Sequence, residues 1–301
     1  MSVETIHVVE VGPRDGLQNE TALVSTAHKV ELIRRVAAAG ASRVEAASFV
    51  HPGLVPQMAD AEAVLAGVPG AAGMSRIGLV LNERGLDRAL VTDVDEINFV
   101  VGASEGFNRA NQNSAVEDTM KAIEAMIPTA HRAGRQTTVT ISVAFGCPYD
   151  GEVAIGAVAE LAGRSATAGA GEIALGDTIG VAVPSDVAGR IAAVRQVAGS
   201  ATLRCHFHDT RNTGIANVVA AVAAGVRVID ASVGGTGGCP YAPNATGNVA
   251  TEDVVYTLHR MGYDTGLDLR LLIETGHWLG DRLGKELPSA LGKAGDWVTG
   301  R

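Results

Sequence analysis

The chain has 301 residues, 47% of them hydrophobic but only 4% aromatic, and a net charge of −9. That length holds one large domain or two ordinary ones, and the apolar share argues against a disordered chain. The acidic balance argues against a nucleic-acid surface, so an anionic ligand would need a local cluster of Arg, metal or backbone N–H groups.

The start, MSVETIHVVE, shows no basic stretch before a long apolar core, so no signal peptide is expected. Eight short β-branched runs follow in order: Ile6–Val11, Arg43–Phe49, Arg76–Leu81, Glu96–Val101, Thr137–Phe145, Glu172–Leu175, Thr202–His208 and Arg227–Val233. Helical spacing separates them. Val30, Ile33, Val36 and Ala37 form one apolar stripe, opened by Ser25 as N-cap and closed by Gly40. Ile215, Val218, Val219 and Val222 form another, closed by Gly225. A third opens at Thr251-Glu252-Asp253, with acids in its first turn. The most apolar long window, about 215 to 233, is broken by Asn217, Arg227 and Asp230 and does not read as a membrane span.

Eight strand–helix units predict an α/β fold of the (β/α)8 TIM-barrel type, with an open doubly wound sheet as the competing architecture. Residues after about 265, such as Leu271–Leu283, read as extra C-terminal helices. No Pro/Ser-rich linker divides the chain, so residues 1–301 are taken as one catalytic domain with a helical extension. Three sparse cysteines, Cys147, Cys205 and Cys239, suit a reducing cytosol better than a disulfide framework, which points to a cytoplasmic protein.

In a barrel, catalytic groups gather at the C-terminal ends of the strands. Unusual polar residues fall there. Residues two apart in a strand share a face, so Arg204, His206 and His208 should point into the barrel while Leu203, Cys205 and Phe207 meet the helices. Two converging imidazoles can bind one metal ion; core histidines satisfied by hydrogen bonds are the bland alternative. Asp15, after the first strand, is placed to add a carboxylate, although Asp-Gly is also ordinary turn chemistry. Mixed nitrogen and oxygen ligands suit Mg2+ or Mn2+ better than Zn2+ or Co2+. Arg14 beside Asp15 could stabilise an enolate or carboxylate oxygen, or merely pair with Glu10 or Glu45. Glu45 is a lone acid in an apolar strand, fit for proton work if burial raises its pKa.

The run Gly234–Gly238 reads as a mobile loop with unusual φ angles, and Cys239 behind it as a proton donor or acceptor. Gly-Cys-Pro-Tyr occurs also at 146–149, but without a long glycine run, so Cys239 is the better candidate of the two. For either cysteine alone, a small buried residue in a turn is the ordinary reading.

The segment Val11-Gly12-Pro13-Arg14-Asp15-Gly16-Leu17-Gln18-Asn19-Glu20 resembles the opening motif of the 3-hydroxy-3-methylglutaryl-CoA lyase family. The resemblance continues in order through Ser48-Phe49-Val50, Val55-Pro56-Gln57-Met58, Gly146-Cys147-Pro148-Tyr149, Leu175-Gly176-Asp177-Thr178-Ile179-Gly180, His206-Phe207-His208-Asp209-Thr210, Gly237-Gly238-Cys239-Pro240-Tyr241-Ala242 and Gly247-Asn248-Val249-Ala250-Thr251-Glu252-Asp253. It implies a TIM-barrel, metal-dependent lyase acting on an acyl-CoA thioester, with a homodimer as the family expectation. It implies metal ligands at Asp15, His206, His208 and Asn248, Arg14 near the thioester carbonyl, and Cys239 as a loop thiol in proton transfer. Glu45 and Asp177 become active-site polar residues, with Glu10 and Glu252 supporting the metal shell. The implied reaction is retro-Claisen cleavage of 3-hydroxy-3-methylglutaryl-CoA to acetyl-CoA and acetoacetate.

The chain departs from the family pattern at Arg211-Asn212, where Tyr-Gly is expected, at Gly234-Gly235-Thr236, and at Leu79-Val80-Leu81-Asn82, which lacks a Pro before Asn. These changes spare the ligands and touch the rim, and Arg211 could meet a carboxylate or phosphate there. A lyase for a bulkier 3-hydroxyacyl-CoA therefore stays open. A Claisen-condensing synthase fits less well, because the cysteine loop matches the lyase and no C-terminal regulatory domain is expected. A metal- or CoA-binding barrel without catalysis is opposed by the complete ligand set.

Overall fold

The computed structural model describes residues 3–68, 70, 73–238 and 247–297. Eight parallel strands close into a barrel in sequence order: β1 (His7–Glu10), β2 (Arg43–Ser48), β3 (Ser75–Val80), β4 (Glu96–Gly102), β5 (Gln136–Ser142), β6 (Glu172–Asp177), β7 (Thr202–Phe207) and β8 (Val228–Ala231). β8 returns to β1 in register His7 with Val228 to Glu10 with Ala231. The closed (β/α)8 barrel is the expected architecture, and the open sheet is excluded.

The helices alternate with the strands: α1 (Thr26–Ala38), α2 (Ala61–Gly67), α3 (Glu83–Leu90), α4 (Glu105–Gln112), α5 (Val116–Arg132), α6 (Ile155–Thr167), α7 (Pro184–Val197), α8 (Gly214–Ala223) and α9 (Thr251–Arg260). Two more, α10 (Leu269–Leu283) and α11 (Ala290–Ala294), close the described C-terminal part. The expected caps hold: Ser25 accepts the His28 N–H at 3.3 Å, and Glu252 and Asp253 occupy the first turn of α9. None of the helices is long and apolar enough to cross a membrane, among the described residues.

Several strands, among them β1, β5 and β8, are shorter than their β-branched runs. β5 stops at Ser142 because Val143 turns into the left-handed region, at φ 50°. A β-branched residue resists that conformation. The turn is held by the Val143 N–H to Thr178 Oγ1 at 2.9 Å and by Arg190, which grips the carbonyls of Ala144 and Val153.

The main apolar core lies between barrel and helices and takes in Leu203, Cys205 and Phe207. Burial pushes the Cys205 thiol well above the ordinary range, so it is inert packing material. The barrel lumen is different. Its apolar plug is Val9, Val11, Ile77 and Val228, and beside the plug the lumen is charged. Arg43 binds Glu96 and Glu172, each at 2.8 Å. Arg204, 1% exposed, contacts Glu172 at 3.2 Å and Asp230 at 3.3 Å. Removing one partner of such a network leaves an uncompensated buried charge. Arg204→Met should therefore destabilise the fold by about 3–5 kcal/mol, read as a lower midpoint in urea; a midpoint equal to wild type would show that the network carries no net stability.

Candidate active site

Asp15 stands in a single wide turn, Gly12–Gly16, directly after β1, closed by the Gly16 N–H to the Val11 carbonyl at 3.1 Å. Gly16 admits no side chain, because a Cβ there would collide with the hydroxyls of Thr236 and Ser232. The turn is thereby pressed against the segment after β8. β7 brings His206 and His208 to the same place, their ring centroids 5.1 Å apart. Asp15 Oδ2 lies 3.9 Å from His206 Nε2 and 4.0 Å from His208 Nε2. These three residues offer ligand atoms all within 4.8 Å of one another, and no other His, Cys, Asp or Glu cluster among the described residues does so.

Asn248 joins them through the backbone. It bridges to His208 antiparallel, flanked by Asp209 N–H to Gly247 O at 2.7 Å and Val249 N–H to Phe207 O at 3.1 Å. Its Nδ2 donates to Asp15 Oδ2 at 2.8 Å and to the Thr236 carbonyl at 3.0 Å. The resemblance placed Asn248 at this site, and the bridge explains why.

Does the set fit a divalent cation? Asn248 Oδ1 is buried without a hydrogen-bond partner, which a native interior rarely tolerates. Burial and the neighbouring His206 push His208 down to about 3, so it is neutral with a lone pair available. Burial pushes the Asp15 carboxyl up, but Arg14, the two imidazoles and Asn248 outweigh it and hold it below the usual carboxylate range. In the connected lumen network, the guanidiniums of Arg14, Arg43 and Arg204 face the carboxylates of Asp15, Glu45, Glu96, Glu172 and Asp230. The residues present fit the group.

Arg14 pairs with Glu45, Nη2 to Oε2 at 2.5 Å, and with Asp15, Nη1 to Oδ1 at 2.7 Å. Glu45 Oε1 accepts from Asn98 Nδ2 at 3.0 Å, and Asn98 Oδ1 accepts from Thr140 at 2.8 Å. The Arg14–Glu45 pair is thus both the ordinary ion pair and part of the site. His206 Nδ1 faces Asp230 Oδ2 at 3.2 Å. Asp230 and Asn98 escape a reading for motifs, although each is a polar residue in a largely apolar strand, the signal that singles out Glu45.

Other expected residues do different work. Both Asp177 oxygens accept backbone N–H groups, Val181 at 2.9 Å and Ala182 at 3.1 Å, so the carboxylate shapes the loop after β6. Glu10 accepts from Gly12 at 2.7 Å, Val233 at 2.9 Å and Thr251 at 2.7 Å, while Glu252 accepts the Gly234 N–H with both oxygens. They brace the glycine run rather than the ligands directly. That run is not the loose loop expected over Gly234–Gly237. Its unusual φ angles are present, 72° at Gly234 and 112° at Gly237, but it is buried and hydrogen-bonded. Cys239 lies outside the described residues. Cys147 Sγ accepts from Ser104 at 2.9 Å and from two backbone N–H groups at 3.3 Å, a buried turn residue. Arg211 does not reach into the cavity: its Nη1 holds the carbonyls of Ile179 at 2.7 Å and Gly180 at 3.0 Å.

The cluster forms one wall of a cavity of about 200 Å3 at the barrel mouth. Arg14 is the one Arg or Lys lining it, among the described residues. A larger groove of about 710 Å3 runs between α10 and residues 284–293, but the converging ligand atoms are in the smaller cavity, and chemistry rather than volume marks the site.

Comparison with known proteins places the chain in a family. The HMGL-like family model matches residues 5–278. The chain belongs to this family. It is 41% identical to (R)-citramalyl-CoA lyase of Chloroflexus aurantiacus over 97% of this chain and 96% of that protein. It is 42% identical to hydroxymethylglutaryl-CoA lyase of Pseudomonas mevalonii over 97% of each chain. A solved HMG-CoA lyase from Acinetobacter baumannii, in complex with coenzyme A and 3-methylmalate, superposes with a TM-score of 0.93 at 36% identity, covering 99% of this chain and 98% of that one. The HMGL-like chain is accordingly a carbon–carbon lyase.

Burial pushes Glu252 up to about 8 and Glu10 up to about 7. The unfolded chain ionises them near pH 4.5, while the folded chain keeps the protons longer. Stability should therefore fall as pH rises from about 4.5 to about 8 and level off above. Glu252→Gln should flatten much of that decline in thermal melts across the range; an unchanged slope would mean that Glu252 is ionised in the fold.

Proposed function

We propose that this lyase cleaves 3-hydroxy-3-methylglutaryl-CoA to acetyl-CoA and acetoacetate, with Mg2+ or Mn2+ as its cation. The observation that carries this reading is the convergence of Asp15, His206 and His208 beside Arg14 in one cavity at the barrel mouth. The mixed oxygen and imidazole donors favour those cations over softer ones. Bound by Asp15, His206, His208 and Asn248, a divalent cation supplies Lewis acidity that lowers the pKa of a tertiary hydroxyl and orients it.

The protein's own residues supply the rest. Arg14 is fixed by Glu45 and Asp15, so its guanidinium is already in place when negative charge develops on the thioester oxygen of the departing acetyl-CoA enolate. Glu45 holds Arg14 and is in turn held by Asn98, which makes it a positioning residue. The resemblance assigns protonation of the enolate carbon to the Cys239 thiol.

A second reading is favoured by the similarity to a citramalyl-CoA lyase. In it the acyl chain is one carbon shorter and the keto product is pyruvate. Claisen condensation has no such support.

Acetyl-CoA release from both thioesters, with chelator and with added Mg2+ or Mn2+, tests the function. Chelation should abolish turnover and either cation restore it. His206→Ala and Asp15→Ala should fold but lose cation-dependent turnover, and Arg14→Gln should lower kcat by about 10²–10³-fold. Full activity of the His206 variant would sink the ligand assignment.

A further inference from the structure

We propose that Asn98, held by Thr140, is a specificity-determining residue that selects the acyl group by length; this rests on the lyase reading above. β4 turns Glu96, Asn98 and Val100 to the lumen and Ile97, Phe99 and Val101 to the helices. Glu96 is bound to Arg43 at the barrel base, and Val100 lines the cavity mouth. Asn98 lies between them, 3% exposed, and also lines the cavity.

Its orientation is determined. Glu45, paired with Arg14, can only accept, so the amide nitrogen faces it at 3.0 Å. The amide oxygen takes the Thr140 hydroxyl at 2.8 Å. Two partners on two different strands leave the side chain no freedom to swing aside. One amide hydrogen goes to Glu45, and the other remains for the cavity that Asn98 lines.

In the closed eight-strand order, β4 and β5 lie across the lumen from β8 and β1. An acyl group whose oxygens are held beside Asp15, His206 and Arg14 therefore extends toward Asn98 and Thr140. A rigid amide at that depth limits chain length and rewards an oxygen that reaches it. A pocket discriminates by one methylene only about 10–200-fold, which is enough to separate two acyl groups that differ by one carbon.

The test is the ratio of kcat/KM for 3-hydroxy-3-methylglutaryl-CoA to that for the one-carbon-shorter citramalyl-CoA. Asn98→Ala, by deepening the cavity, should raise this ratio at least tenfold. Loosening of Glu45 and Arg14 slows both thioesters alike and leaves the ratio alone, so a merely structural role for Asn98 does not move it. Thr140→Val nearly keeps the volume, frees the amide oxygen, and should move the ratio in the same direction by a smaller factor; it also serves if Asn98→Ala fails to fold. A wild type that cleaves at least one thioester, with variant ratios within twofold of its own, overturns this inference alone. A wild type that cleaves neither overturns the proposed substrates with it.

Discussion

A single chain of buried charge runs through the barrel, and the site depends on it. From Glu45 it passes to Arg14 and Asp15, across to His206, down to Asp230 and Arg204, and on through Glu172 and Arg43 to Glu96. Burying so many ions is expensive unless each finds a partner. The lumen therefore cannot be filled by whatever apolar side chains happen to fit. Each member fixes the next, so the imidazoles and the guanidinium are set by the core itself and not by mobile loops.

The division of labour between strands follows. The side chains that could hold a cation come from β7 and the residue just after it, and from the turns beside β1 and β8, where β8 closes on β1. The uncharged polar wall of Asn98 and Thr140 comes from β4 and β5. The candidate cation site thus lies on one side of the cavity and an uncharged polar wall on the other.

Much of this is readable from the sequence, for identifiable reasons. Strand parity is local, so the inward face of Arg204, His206 and His208 follows from three alternate letters and holds in the structure. The barrel follows from repeated strand–helix units. What local pattern cannot supply is partnership across strands. Nothing near Arg204 in the chain says that Glu172 and Asp230 receive it, and nothing near Asn98 names Glu45. Asn248 reaches the site through a backbone bridge to His208, which only a folded chain displays. The glycine run is misread as loose because glycine also marks tight packing. At Gly237 a side chain would strike the Asn248 amide, so the absence of one is a fitting requirement. Arg211 looks like a ligand-seeking cation by composition, yet two backbone carbonyls claim it.

The alternation that turns two imidazoles inward also turns Cys205 outward, into the seam between barrel and helices. Its thiol belongs to the residue next to His206 and three before His208, yet it faces the opposite side of the strand from them and is wholly buried there. Reagents that attack thiolates meet it only when the helical jacket lifts from β7. The strand thus carries its own opening sensor: labelling of Cys205 over time would report how often the wall behind the imidazoles comes apart, independently of anything bound in front of them.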